Sequence, residues 1–305
     1  MLMLKSRHLR DFMAIANSRS LRSAAVSLGL TQPAISRSLQ ELEEELGVPL
    51  FERHARGVVL TPAGEKFLIR AQIATQSIRR GFEEARQFQG DLRGTVSVSL
   101  SSAAVLGLLP HAYPQFRKVW PAISVRFVEG QFPLIEHRLR DGELDFYIGP
   151  RPEKERGIGY CIERIADNER VIMARKGHPL AGSKSLAALV DAEWLIAGLR
   201  DRVEEEFEEV FSQYGLPSPA VRTRAESMLV LVALLGTTDA LAILPRVWSS
   251  SPLFAGILVS IAIEEQLAAP EIVQMHPVRF PLTPAAEHFS LLLQRAAGTP
   301  FHPAQ

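Results

Sequence analysis

Between Gln32 and Leu46 the chain sets Gln32, Ala34, Ser36, Arg37 and Gln40 among the apolar Ile35, Leu39, Leu42 and Leu46. The apolar set recurs at helical spacing, so it turns one face inward and leaves the other five outside, crowded toward the N-terminal half. Those side-chain types can read DNA. Arginine pairs bidentately with guanine and glutamine with adenine, while serine and free helix N–H groups hold phosphates. The same side chains would also make an ordinary solvated helix face. The elements around them decide between the two.

Upstream, Leu9, Phe12, Met13 and Ala16 put an apolar stripe on a first helix that breaks at Ser18 to Ser20. Ser20 is placed to cap a second helix burying Leu21, Ala24, Ala25 and Leu28, whose alanines let another helix approach closely. Gly29 ends that helix, Leu30 belongs to a tight connection, and Thr31 suits the N-cap of the third. Pro33 fits its first turn, where a missing N–H costs nothing. Two short helices joined by such a turn make a helix-turn-helix, whose second helix can enter the major groove. Beyond Gly47, residues 49–53 and 56–62 predict a two-stranded wing with Gly57 at its tip and Arg53 and Arg56 as flanking phosphate contacts. Charge agrees locally. Lys5, Arg7, Arg10, Arg19, Arg22 and Arg37 stand against Asp11 alone between Met1 and Gln40, although the whole chain is formally neutral.

The runs from Ser20 to Leu28, Thr31 to Glu43, Leu46 to Gly47, Leu50 to Arg53 and Leu60 to Gly64 together resemble the DNA-binding domain of LysR-type transcription regulators. Ser20, Arg22, Thr31 and Pro33, from that stretch, join Gln32, Ala34, Ser36, Arg37, Gln40, Arg53 and Arg56 as the candidate DNA-contacting set. The resemblance implies double-stranded DNA, an imperfectly palindromic operator, as a partner.

From Ala63 to about Gln89 no proline interrupts what reads as one long helix. Phe67, Ala71, Ala74, Ile78, Gly81, Ala85 and Phe88 alternate spacings of four and three, the seam of a paired helix. One helix cannot bury that seam alone. It packs either on its own domain or on a second copy, and the resemblance implies the second: a homodimer, with a tetramer as the further step. Two readers would then grip half-sites roughly 34–36 Å apart or a multiple of that.

After Gly90 the pattern alternates between strand and helix. Thr95 to Leu100, Ile123 to Glu129 and the run ending at Gly149 read as strands, with helices over 105–119 and 134–139. A second set comprises strands near 171–174, 194–197 and 241–244 and helices near 203–213 and 228–235; the segment with strand 273–277 and helix 285–296 returns to the first lobe. The overall fold class is α/β, with a mostly parallel sheet in each lobe. We expect a winged helix-turn-helix over residues 1–62, a linker helix over 63–90 and an effector-binding domain over 91–305. Its two Rossmann-like lobes, in the manner of periplasmic binding proteins, would span about 91–163 with 267–305, and 164–266. In such lobes ligands sit at the carboxyl ends of strands. Ser99, Ser101 and Ser102 follow the first strand; Phe127, Glu129, Gly130 and Gln131 end the next; Gly198, Leu199 and Arg200 follow one in the second lobe; Ser227 suits a helix cap. The resemblance implies an effector held by Ser99, Ser101, Ser102, Gln131 and Arg200, a small organic acid or an aromatic, with p-toluenesulfonate as the most specific expectation. It also implies that lobe closure alters dimer geometry and DNA bending or contact with RNA polymerase.

Composition bounds the alternatives. At 305 residues and 47% hydrophobic, the chain can build two or three cores. The charged residues between Met1 and Ala16 fit neither a signal peptide nor a membrane span, so we expect a cytoplasmic protein with no membrane partner. Cys161 is the single cysteine, so there is no disulfide and no thiolate metal site, and core filling is its simplest role. The chain contains no GxGxxG, GxxxxGKS, GxSxG or HExxH pattern. We therefore expect no enzyme activity, no cofactor and no catalytic or metal-binding residue, leaving a two-lobed transport protein or an enzyme as the rival readings.

Overall fold

The computed structural model describes residues 5–54, 57–152, 159–198 and 203–297. The chain divides into two units, residues 1–83 and 84–305.

In the first unit, α1 (Ser6–Ser18), α2 (Leu21–Leu28) and α3 (Gln32–Leu46) precede β1 (Phe51–His54), β2 (Gly57–Leu60) and the long α4 (Pro62–Phe88). The caps follow the local chemistry. Ser23 N–H donates to Ser20 Oγ and Ala34 N–H to Thr31 Oγ1, while Gly29 and Gly47 close α2 and α3 in the left-handed region. The α1 stripe sits slightly round from expectation: Phe12 and Ile15 are fully buried, whereas Met13 and Ala16 are only partly so. Phe12 is the hub, its ring centroid 5.3 Å from Phe51 and 5.0 Å from Phe67. Gly57 does not mark a free tip. It begins β2 opposite His54, with φ +136, and a Cβ there would lie well inside 3.0 Å of the Arg19 carbonyl oxygen. That carbonyl accepts from Val58 N–H at 3.0 Å and ties the wing to the α1–α2 corner.

The seam of α4 divides. Phe67, Ala71 and Ala74 pack into the core of the first unit. Ile78 is 51% exposed and Phe88 77%, Gly81 and Ala85 are exposed, and Phe82 beside them is 64% exposed, so the second half of the seam is bare on this chain.

The second unit carries two sheets. The first has the order β4-β3-β5-β12-β6, from β3 (Gly94–Leu100), β4 (Ile123–Val128), β5 (Phe146–Pro150), β6 (Tyr160–Ala166) and β12 (Ile272–Pro277). The second places β7 (Arg170–Arg175) between β10 (Ala242–Pro245) and β11 (Leu258–Ile261). The parallel pair β8 (Trp194–Ala197) and β9 (Val221–Ala225) joins this sheet through a bridge from Trp194 to Leu241. Neither sheet is mostly parallel as expected: the first is mixed, and the three strands of the second pair antiparallel. β3 pairs parallel with β4 and β5, but β12 runs antiparallel to β5 and β6, and β7 antiparallel to β10 and β11. A strand returning from a distant part of the chain is not constrained to the right-handed crossover that makes neighbours parallel. The predicted helix over 105–119 is two helices, α5 (Ser102–Gly107) and α6 (Leu109–Val119). Pro110 explains the break, since it lacks an N–H and its ring crowds the preceding turn.

Two cores result. Phe116, Phe146 and Phe289, the last on α11 (Pro284–Ala296), fill the first sheet's face. Trp194, Phe207 and Phe211, the latter two on α8 (Val203–Ser212), fill the second. Trp248 on α10 (Val247–Ser250) and Leu231 and Leu235 on α9 (Met228–Thr237) form a further cluster with Leu106 of α5.

Candidate DNA interface and effector cavity

On α3 the sequence-predicted readers come to one exposed patch. Gln32, Pro33, Ala34, Arg37 and Gln40 are exposed and Ser36 is half-buried, while Ile35, Ser38 and Leu39 face the core. Thr31 is exposed and Ser20 half-buried at the two helix starts, where their oxygens already serve as caps. Gln40 is committed along its own helix, its amide donating to Glu44 Oε1 at 2.9 Å. The basic residues separate by use. Arg7 pairs with Glu41 at 2.7 Å and Arg10 with Asp11 at 2.8 Å. Among the described residues Arg22 and Arg37 have no ion-pair partner, so they remain available to phosphates or bases. The Arg7 guanidinium holds the Glu41 carboxyl below its usual 4.5, with a smaller contribution from His8. Arg53 lies on β1 in register with Val58, and Arg56 lies outside the described residues.

One residue of this unit carried no sequence signal. Glu43 Oε1 accepts from the backbone N–H of Leu50 at 2.6 Å and of Phe51 at 3.2 Å, binding α3 to the root of the wing. Only the tertiary path of the loop brings those groups together.

In the second unit a cavity of about 670 Å³ opens between the two lobes. Ser101, Ser102, Val105, Phe127, Gly130 and Gln131 come from the first lobe, and Gly198, Glu226, Met228, Leu229, Trp248 and Phe254 from the second. Its walls are mainly apolar, with Trp248 stacked on Phe254 at 4.7 Å between centroids. A smaller cavity of about 100 Å³ shares Ser102, Gln131, Gly198 and Met228 with it.

The predicted effector residues do not all reach this space. Ser101 does, while its Oγ caps α5 by accepting from Ala104 N–H. Ser102 does, and its Oγ accepts from Trp248 Nε1–H at 3.4 Å. Gln131 lines both cavities, and its buried Oε1 has no hydrogen-bond partner. Ser99 is fully buried behind them and donates to the Gly130 carbonyl at 2.9 Å, a tie between the ends of β3 and β4, not a wall of the cavity. Ser227 stands at the N-cap of α9 but its side chain makes no capping bond. Arg200 and Leu199 lie outside the described residues. Among the described residues of the larger cavity's wall the charges are Glu129 and Glu226, with no Lys, Arg or His. Among the described residues no helix is long and apolar enough to cross a membrane.

Residues 6–65 match the family described as the bacterial regulatory helix-turn-helix protein, lysR family, and residues 89–298 match the LysR substrate binding domain. The regulator GbpR of Azospirillum brasilense is 30% identical over 246 residues, 80% of this chain and 72% of that one. TdcA of Escherichia coli K12 is 27% identical over 87% of this chain and 85% of its own length. Among solved structures, full-length CbnR in complex with its target DNA superposes with a TM-score of 0.70 at 22% identity, covering 96% of this chain and 100% of that one. A full-length OxyR from Pseudomonas aeruginosa gives 0.67 at 22% identity over 96% and 94%. The chain belongs to the LysR family: it is a DNA-binding transcription regulator with a substrate-binding effector domain, in a family of regulators and not of enzymes.

Proposed function

We propose that this regulator reads an imperfectly palindromic operator as a homodimer, with Arg37, Gln32, Ala34, Ser36 and Gln40 toward base edges and Ser20, Arg22, Thr31, Pro33, Arg53 and Arg56 toward the backbone. The observation that carries this reading is the pairing of two helix starts, at Ser20 and Thr31, with the exposed Arg22 and Arg37, which have no ion-pair partner among the described residues. Helix N–H groups and positive dipole ends favour phosphate there. Self-association is supported by the bare Ile78, Phe82 and Phe88 on α4, apolar surface that a second copy would cover. Association into a tetramer is the further step. The chain acts where its operator is, in the cytoplasm.

The effector occupies the cavity between the lobes. Its apolar walls, with Phe127 and Trp248, favour an aromatic or otherwise apolar body. Gln131 Oε1 supplies an acceptor still without a donor. An anionic group would draw on Arg200 and on the uncapped start of α9. For p-toluenesulfonate in particular the relatives named above give no support. Binding shifts the balance between lobe arrangements because the ligand fits one better than the other, and changes DNA bending or contact with RNA polymerase.

The test is binding of purified protein to its own upstream intergenic DNA and to random DNA of equal length across a salt series. Preference for the upstream fragment that survives moderate salt, with an imperfectly palindromic footprint, is the expected result. Equal and steeply salt-sensitive binding to both would reduce the interface to nonspecific charge attraction.

A further inference from the structure

The wing is held from three directions, two of them at its root and one near its turn. Thr61 of the α4 start reaches the root twice: its Oγ1 donates to the Pro49 carbonyl at 2.8 Å, and its N–H to that of Leu50 at 2.9 Å. From the α1–α2 corner, the Arg19 carbonyl accepts from Val58 N–H. From α3 itself the connection is Glu43, whose Oε1 takes both the Leu50 and the Phe51 N–H. Leu50 is 1% and Phe51 8% exposed, so little water can replace that acceptor. A charged acceptor makes each bond roughly twice as strong as a neutral one.

The neighbouring acids have other work. Glu41 is held by Arg7 and His8, and Glu44 by Gln40. A carboxylate beside a DNA-contacting face repels phosphate, so Glu43 costs affinity through its charge and must return it through geometry. We propose that Glu43 is a positioning residue for operator recognition: it fixes the pitch of the wing against α3, so that helix and wing engage one duplex in register. The proposal rests on the reading of α3 and the wing as the DNA-contacting elements.

This separates charge from geometry by sign. Glu43→Gln removes the charge and keeps an oxygen that can accept both N–H groups, whereas Glu43→Ala removes both. In the full-length chain on its upstream intergenic DNA, Glu43→Gln should bind within about threefold of the parent or tighter. Glu43→Ala should lose about tenfold, the scale of coupled neighbours. Its lost hydroxyl-radical protections should be those that Arg53→Ala also loses, while those at the bases read by α3 remain. In a double-mutant cycle Arg53→Ala should cost less than about twofold once Glu43 is alanine.

Three results would overturn the proposal: Glu43→Ala binding as well as the parent, losses of the two variants that simply multiply, or protections lost evenly across α3 and the wing. Circular dichroism checks folding, and should the alanine variant not fold, Glu43→Asp, one methylene too short to span to both N–H groups, takes its place with the same expectations. If Arg37→Ala and Arg53→Ala in the parent both leave operator binding unchanged, the DNA-contact reading itself fails, an outcome distinct from failure of the clamp.

Discussion

Gly57→Ala should detach the wing from the α1–α2 corner. The glycine has φ +136, a region that costs a side-chain-bearing residue about 1–3 kcal/mol. The new Cβ would also collide with the Arg19 carbonyl oxygen, the acceptor for Val58 N–H. Val58 is 7% exposed, so breaking that bond leaves poorly hydrated groups and adds about 1–3 kcal/mol. The sum, about 2–5 kcal/mol, is a large part of the total stability of about 5–15 kcal/mol usual for a domain. For a unit of this size it corresponds to a fall of roughly 10 to 30 °C in melting midpoint. Gly29→Ala is the control: its φ is +64 but nothing lies within 4 Å of the added Cβ, so the cost is the left-handed conformation alone, about 1 kcal/mol. The assay follows from the tryptophans. Trp120, Trp194 and Trp248 all belong to the second unit, so fluorescence reports on that unit while far-ultraviolet circular dichroism reports on both. The first unit should melt early by dichroism with the fluorescence transition unmoved. Equal midpoints for the Gly57 and Gly29 variants would refute the collision argument.

Arg37→Ala should cost roughly 1–3 kcal/mol on the operator and relax preference at one base position, whereas Arg22→Ala should weaken all sequences alike and reduce the salt slope by about one. Equal loss on operator and random DNA from Arg37→Ala would remove it from the readers. Gln87 near the end of α4 accepts from Ala285 N–H at 3.1 Å, at the start of α11, and both residues are buried. Gln87→Leu should destabilise the second unit by about 1–3 kcal/mol, read as a lower urea midpoint of tryptophan fluorescence; an unchanged midpoint would mean that another acceptor takes over. Glu41 titrates below 4.5 chiefly because Arg7 hydrogen-bonds its ionised form. A depressed folded value means the stabilisation is full above 4.5 and is lost as pH falls through that lower value. Arg7→Met should move the Glu41 titration, followed by nuclear magnetic resonance, back toward 4.5.

Much of the first unit was legible because its information is local. The caps at Ser20 and Thr31, the stops at Gly29 and Gly47, the position of Pro33 and the 3.6-residue repeat each concern neighbours in sequence, and local sterics and hydrogen bonding set them before any long-range contact forms. The outward face of α3 follows from the same repeat. The strand and helix order of the second unit was legible for that reason too, apart from β6, β9, β11 and α10, whose runs are partly exposed or short and give little periodic signal. What the sequence could not decide were pairings across distance. The antiparallel placement of β12 between β5 and β6 is a pairing with strands far earlier in the chain, and the apolar pattern of Ile272 to Pro277 does not specify its sense. Ser99 and Ser101 look alike in sequence, yet one ties Gly130 and the other lines the cavity, because β3 ends at Leu100 and Ser101 leaves the strand to cap α5. The seam of α4 reads as one surface and divides in space, since only its first half meets the core of its own unit. Glu43 is one acid among several on α3 until the chain folds back and presents two backbone N–H groups to it. Sequence determined which elements form and which faces they offer; tertiary structure decided which face meets which, because that choice depends on contacts between residues far apart in the chain.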